Sequence, residues 1–114
     1  MPELISIEPA TGTELWRGAI GNVDEEVGRA RQAWPEWVSM PVTKRIEMMR
    51  RFANRVRARF EDLAETIARE TGKPLWEART EVESVIAKVD ISVTAYAERT
   101  AQRKLDSALG GTMS

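Results

Sequence analysis

At 114 residues, 42% apolar and 31% charged with a formal net charge of -1, the chain has the composition of one small globular domain or part of one, not of an acidic solvating segment or a uniformly basic nucleic-acid binder. It contains no cysteine and no histidine, which excludes a disulfide framework, a thiolate nucleophile, a cysteine or histidine zinc site and the usual general base. No run of about 18 apolar residues exists to span a bilayer and no basic flank leads into an apolar stretch at the N-terminus, so a soluble, cytoplasmic protein is expected.

Leu4-Ile5-Ser6-Ile7-Glu8 reads as a short strand, Pro9-Ala10-Thr11-Gly12 as a turn, and Thr13-Glu14-Leu15-Trp16-Arg17-Gly18 as the returning strand. Two strands alone are marginal in water, so the hairpin needs support from helices or from another surface. Gly21 and Asn22 break the pattern. Asn22 is suited to cap a first helix, with Glu25 completing a capping box and Asp24, Glu25 and Glu26 at the positive end of the helix dipole. Val27, Ala30, Trp34 and Trp37 recur at helical spacing, but Pro35 disfavours a helical Trp34 and is expected to end or kink the helix there. The two tryptophans read as core anchors, with stacking on a ligand as the alternative use.

A second helix is expected from Pro41 or Val42 to about Arg69. Its seam, Ile46, Met49, Ala53, Val56, Phe60, Leu63 and Ile67, alternates three- and four-residue steps, and Phe52, Ala64 and Ala68 widen it beyond what one partner helix requires. Its other side carries Lys44, Arg45, Arg50, Arg51, Arg55, Arg57 and Arg59 against Glu47. That face is either solvated or a surface for RNA or an anionic membrane. Arg51, Arg55 and Arg59 repel at i,i+4 spacing, so an acidic neighbour is expected, drawn from Asp24, Glu25 and Glu26 or from Glu77, Glu81 and Glu83.

Gly72 and Pro74 form the organising corner. Gly72 can close one helix in the left-handed conformation, and Pro74 suits the first turn of the next. In the third helix Leu75, Ala78, Val82, Val85 or Ile86, Val89, Val93 and Tyr96 form a stripe. The alternation of apolar and polar residues from Val89 to Tyr96 also fits a strand, but no turn signal interrupts Pro74 to Ala101, which favours helix. The fold class is therefore mainly α: a short N-terminal β-hairpin followed by three helices, the last two forming a long helical hairpin. Residues 1–101 form the ordered part and 102–114 a mobile tail.

Thr71-Gly72-Lys73-Pro74 is not a phosphate-binding loop, since the first glycine is missing and Pro74 stands where Ser or Thr would hold magnesium. Gly110-Gly111 lacks the strand, third glycine and helix of a dinucleotide fingerprint. Carboxylate pairs such as Glu81 with Glu83, or Glu61 with Glu65, read as solvated charges. No residue is assigned a catalytic, cofactor-binding or metal-binding role.

Pro9-Ala10-Thr11-Gly12-Thr13-Glu14, the run from Val27 through Ala33-Trp34-Pro35-Glu36-Trp37, and Glu70-Thr71-Gly72-Lys73-Pro74-Leu75-Trp76-Glu77-Ala78 resemble, in order and spacing, the start of NAD(P)-dependent aldehyde dehydrogenases. Arg69 to Ala78, with Thr80-Glu81-Val82, Lys88, Ile91-Ser92-Val93, Ala95-Tyr96 and Arg99-Thr100, is similar to the branch acting on N-succinylglutamate 5-semialdehyde. The resemblance implies a parent enzyme of several hundred residues that uses NAD or NADP in arginine breakdown, with a cysteine nucleophile and a glutamate base lying outside this chain. On that reading residues 1–101 are an incomplete N-terminal helical part of the cofactor-binding domain, structural and not catalytic, binding no cofactor. A stand-alone helical interaction module and a basic-helix nucleic-acid binder are the alternatives. Stripes wider than one partner can cover imply a homo-oligomer through exposed apolar helix faces, or contact with the remainder of the parent enzyme, and no nucleic-acid or membrane partner.

Overall fold

The structure is a computed structural model; it describes residues 2–101 and the backbone of 105–106 and 112–113. Strands β1 (Glu3–Ile7) and β2 (Glu14–Ala19) pair antiparallel, Leu4 opposite Gly18 and Ser6 opposite Trp16, with a register shift between Ser6 and Ile7 that leaves Leu15 unpaired as a bulge. Gly12, at φ 75°, turns the chain, and hydrogen bonds of 2.8 Å run from the Glu8 amide to the Thr13 carbonyl and from the Gly12 amide to the Glu8 carbonyl. Arg17 braces the two strands, its guanidinium reaching Glu14 at 2.6 Å and Glu3 at 3.1 Å. The hydrogen bond from Arg17, then its charge, holds the Glu14 carboxyl below the usual range.

Helix α1 (Val23–Ser39) starts as the sequence indicates, with the Asn22 side chain accepting from the Glu25 amide at 3.1 Å and three acids in the first turn. Of the end or kink expected at Pro35, the end does not occur, since the helix continues through that residue to Ser39. Pro35 lies in the last turns of an exposed helix, where the one amide it removes leaves a carbonyl that water can satisfy, and the Met40 amide closes the end on the Trp37 carbonyl at 3.2 Å. The tryptophans are not core anchors: Trp34 is 58% exposed and Trp37 half-buried.

The expected second helix is two helices, α2 (Val42–Ala58) and α3 (Phe60–Thr71), divided at Arg59 with φ -111° and ψ 24°. Neither glycine nor proline marks this break. The signal lies in the charges: Arg55 and Arg57 sit in the last turn of α2, and Glu61 and Asp62 in the first turn of α3, each suiting its own helix dipole. The arginine crowding that seemed costly in one continuous helix thus favours the end of a shorter one.

Gly72 closes α3 in the left-handed conformation, φ 78° and ψ 5°, its amide bonding the Ala68 carbonyl at 2.9 Å. Pro74 stands at the N-cap of α4 (Leu75–Thr100), one residue ahead of the first turn, and its carbonyl accepts from the Glu77 and Ala78 amides at 3.1 Å each. The helix continues unbroken past Val89, so the strand alternative for Val89 to Tyr96 does not occur. Val89 is buried, which explains the apolar residues there as one face of a helix.

Around the corner α3 folds back along α4, and α2 meets the later turns of the same helix. At the α3–α4 crossing Ala64 and Ala78 are fully buried and Val82 nearly so, surrounded by Val56, Phe60, Leu63, Ile67, Ala68 and Ile86. The central part of the predicted seam is therefore the core. Toward the start of the seam Ala53 is still buried but Met49 is 41% exposed, and of the alternatives Val85 or Ile86 in α4 it is Ile86 that packs on the core while Val85 is 47% exposed. The tail expected to be mobile lies outside the described residues, apart from the antiparallel backbone pairing of β3 (Leu105–Asp106) with β4 (Thr112–Met113).

A Cβ on Gly72 meets nothing within 4 Å, so Gly72→Ala is penalised by backbone strain alone; it should destabilise the chain by about 1 kcal/mol in thermal or denaturant unfolding, and Gly72→Asn by less. Ala64→Leu should cost about 1–3 kcal/mol in the same measurement, because the helix crossing has no room for three more carbons.

Candidate functional site

Two features stand out among the described residues, and both come from how the corner places α3 and α4. The first is a clasp. Glu70, on the last turn of α3, accepts from the Ser6 hydroxyl at 2.8 Å and from the Trp16 indole N–H at 3.3 Å. Ser6 and Trp16 are the cross-strand pair of the hairpin, so one carboxylate holds both strands and supplies the support the hairpin needs. On the other side of the corner Lys73 pairs with Glu81 of α4. The Glu81 hydrogen bond, reinforced by the charges of Glu81 and Glu77, holds the Lys73 ammonium above the usual lysine range. A raised lysine stabilises the fold below its unfolded pKa, and that contribution disappears as pH rises through the folded value.

The second feature is an apolar groove of about 420 Å³ between α2 and α4. Trp37, Ile46, Met49, Phe52, Val89 and Tyr96 are among the residues that line it. Arg45 and Lys88 are its cations. The Arg45 Nε is buried and has no hydrogen-bond partner.

The acids expected to neutralise the arginine face do not do so. Glu81 is engaged by Lys73 and Glu26 by Arg29, and both Glu81 and Glu77 sit at the corner. The observed partners are Asp90 for Arg50 at 3.4 Å, Asn54 for Arg57 at 2.6 Å and Glu47 for Lys44 at 3.7 Å, while Glu61 takes Arg79 of α4 at 3.1 Å. Asp90 was not foreseen because it is brought to Arg50 only by the packing of α2 on α4, forty residues apart in sequence.

The described residues contain no group of three or more Asp or Glu placed to hold a metal ion, and no helix long and apolar enough to cross a membrane. Gly12 and Gly72, the glycines with positive φ, lie respectively between two strands and between two helices. Neither follows a strand and opens a helix, the placement of the glycine turn that cradles a dinucleotide pyrophosphate.

Glu70→Ala should detach the hairpin while leaving the helices intact. Amide exchange across 3–7 and 14–19 is expected to accelerate and Trp16 fluorescence to shift toward that of a solvated indole, with helical circular dichroism unchanged.

Comparison with known proteins places this architecture. Residues 2–113 match the family model described as "Aldehyde dehydrogenase family". The chain is 64% identical over 110 residues to the N-succinylglutamate 5-semialdehyde dehydrogenase of Novosphingobium aromaticivorans, covering 96% of this chain and 23% of that protein. It is 66% identical over 108 residues to the protein of the same name from Sphingopyxis alaskensis, with 95% and 22% covered, and 47% identical over 112 residues to that of Paraburkholderia xenovorans, with 96% and 23% covered. The chain thus spans under a quarter of the length of these relatives. With the family model extending over nearly all of its residues, the chain belongs to the aldehyde dehydrogenase family.

Proposed function

We propose that this chain supplies the N-terminal helical part of an enzyme oxidising N-succinylglutamate 5-semialdehyde to N-succinylglutamate, a step of arginine breakdown in the cytoplasm, with NAD as the hydride acceptor. The observation that carries this reading is 64–66% identity, over almost the whole chain, to two relatives that bear that substrate in their name. Oxidation of an aldehyde to an acid needs a nucleophile to form a hydride-donating adduct and a base to activate water for its hydrolysis. With no cysteine and no histidine, and no cofactor cradle among the described residues, this chain's part in that reaction is structural. The clasp and the α3–α4 core hold a helical layer together, and the groove face of α2 and α4 is the side left to cover the rest of the catalytic fold.

A chimera tests this. Replacing the matching 110 residues of the Novosphingobium aromaticivorans protein with those of this chain should preserve NAD-dependent oxidation of the succinylated semialdehyde, with KM of the same order as the parent. A chimera that folds but oxidises a different aldehyde in preference would refute the substrate.

Nucleic acid is not a partner on this reading. Several cations of the arginine face have protein partners, and Glu61, Asp62, Glu65 and Glu70 follow directly on α3. Mobility-shift assays at ~150 mM salt should show no retardation of RNA or duplex DNA at micromolar chain, since phosphate contacts by a free basic face would give measurable, steeply salt-dependent binding.

A further inference from the structure

We infer that in the whole enzyme the α2–α4 groove is covered by an apolar element carrying an aspartate or glutamate, whose carboxylate pairs with Arg45, an inference that rests on the reading above that this face covers the rest of the catalytic fold. It adds the chemistry of the surface that meets the groove.

Arg45 lies one turn inside the start of α2, half-buried, and lines a cavity of about 420 Å³ together with apolar residues such as Ile46, Met49 and Val89. Its Nε is shut off from solvent and has no hydrogen-bond partner among the described residues. The guanidinium is thus partly desolvated already, with no acceptor to compensate it. Laying a purely apolar surface over it would bury an unpaired cation, one of the most unfavourable events in protein association. Lys88, the other cation of the groove, differs: it is exposed, and its four-carbon stem can carry the ammonium to water.

No acid within the described residues relieves Arg45. The groove is lined by neither Asp nor Glu, and the acids nearest in sequence or packing are engaged elsewhere, Glu47 with Lys44 at 3.7 Å and Asp90 with Arg50 at 3.4 Å. The first turn of α2 contains no acid, and Pro41 provides no side-chain cap, so the positive end of the helix dipole adds to the charge of Arg45 instead of being offset. A backbone carbonyl laid against the groove would accept a hydrogen bond but leave that positive potential in place. A carboxylate meets both needs, and the guanidinium fork can grip its two oxygens at once.

The chimera described above provides the whole enzyme in which to test this, with melting temperature as the readout. Arg45→Met should lower it by about 5 °C or more, because the covering carboxylate is left buried and unpaired. An unchanged or raised melting temperature would overturn the inference, since removing a donor that has no partner costs nothing. Arg45→Lys, which keeps the charge, should melt closer to the unsubstituted chimera than Arg45→Gln, which keeps only a neutral donor. A glutamine variant at least as stable as the lysine variant would show that the acceptor is neutral and would refute the carboxylate. That comparison stands even where Arg45→Met fails to assemble. The substrate reading fails separately, through the aldehyde preference of the chimera with Arg45 intact.

Discussion

The close approach of α3 and α4 at Ala64, Ala78 and Val82 is the constraint on which the rest of the molecule depends. Two alanines with no exposed surface at a helix crossing let the backbones come near enough for Phe60, Leu63, Ile67 and Ile86 to close around them. That crossing is possible only because the chain reverses within three residues, and the reversal depends on a left-handed residue at position 72 followed by a proline whose carbonyl starts the next helix. A side chain with a Cβ fits the space at Gly72 but not the dihedral, so the constraint there is conformational, whereas at Ala64 it is steric.

From that crossing the other contacts follow in order. Ending α3 at Thr71 places Glu70 on the side facing the hairpin, where one carboxylate takes the Ser6 hydroxyl and the Trp16 indole. The bulge at Leu15 shifts the register between Ser6 and Ile7, beside the strand pair whose Ser6 and Trp16 reach the same acid. Farther along α4, the break at Arg59 lets α2 leave the line of α3 and still reach α4, where Arg50 finds Asp90 and Ala53 and Val89 are buried. These surface ion pairs are each weak. Their information is geometric, since Glu61 with Arg79, Lys73 with Glu81 and Arg50 with Asp90 together fix the rotation of α4 against α2 and α3.

What the sequence made legible was local chemistry with a single solution. The hairpin turn at Gly12, the Asn22 cap, the Gly72 corner and the seam from Val56 to Ile67 are each specified by residues within one or two turns of one another, and each is found in place. The features that were not legible needed distant partners or had two readings. Pro35 signals a helix end in general, but an exposed helix near its C-terminus tolerates the missing amide. The break at Arg59 has no glycine or proline, and its charge reversal reads equally well as overall balance along one helix. The Glu70 clasp joins residues 64 apart, so no local pattern announces it. For the site itself, the absence of cysteine and histidine could be read at once, whereas the groove between α2 and α4 exists only after the two helices pack, and the sequence showed merely that their stripes were too wide.

The width of those stripes has an energetic meaning. The described core contains five buried residues, three of them alanine, while ordering the backbone of a chain this long costs on the order of 100 kcal/mol. Apolar burial is the main term that offsets such a cost, and here much of it is unrealised: Trp34, Phe52, Trp76 and Ile91 are each half exposed or more. The apolar side chains along α1, α2 and α4 therefore contribute less to that offset than their number would allow. The small crossing at Ala64 and Ala78 sets the direction of the helices, while the groove face between α2 and α4 stays open at the surface. Helix geometry is thus fixed locally, at the corner and the crossing, where the small residues that permit close approach are also the ones that are buried.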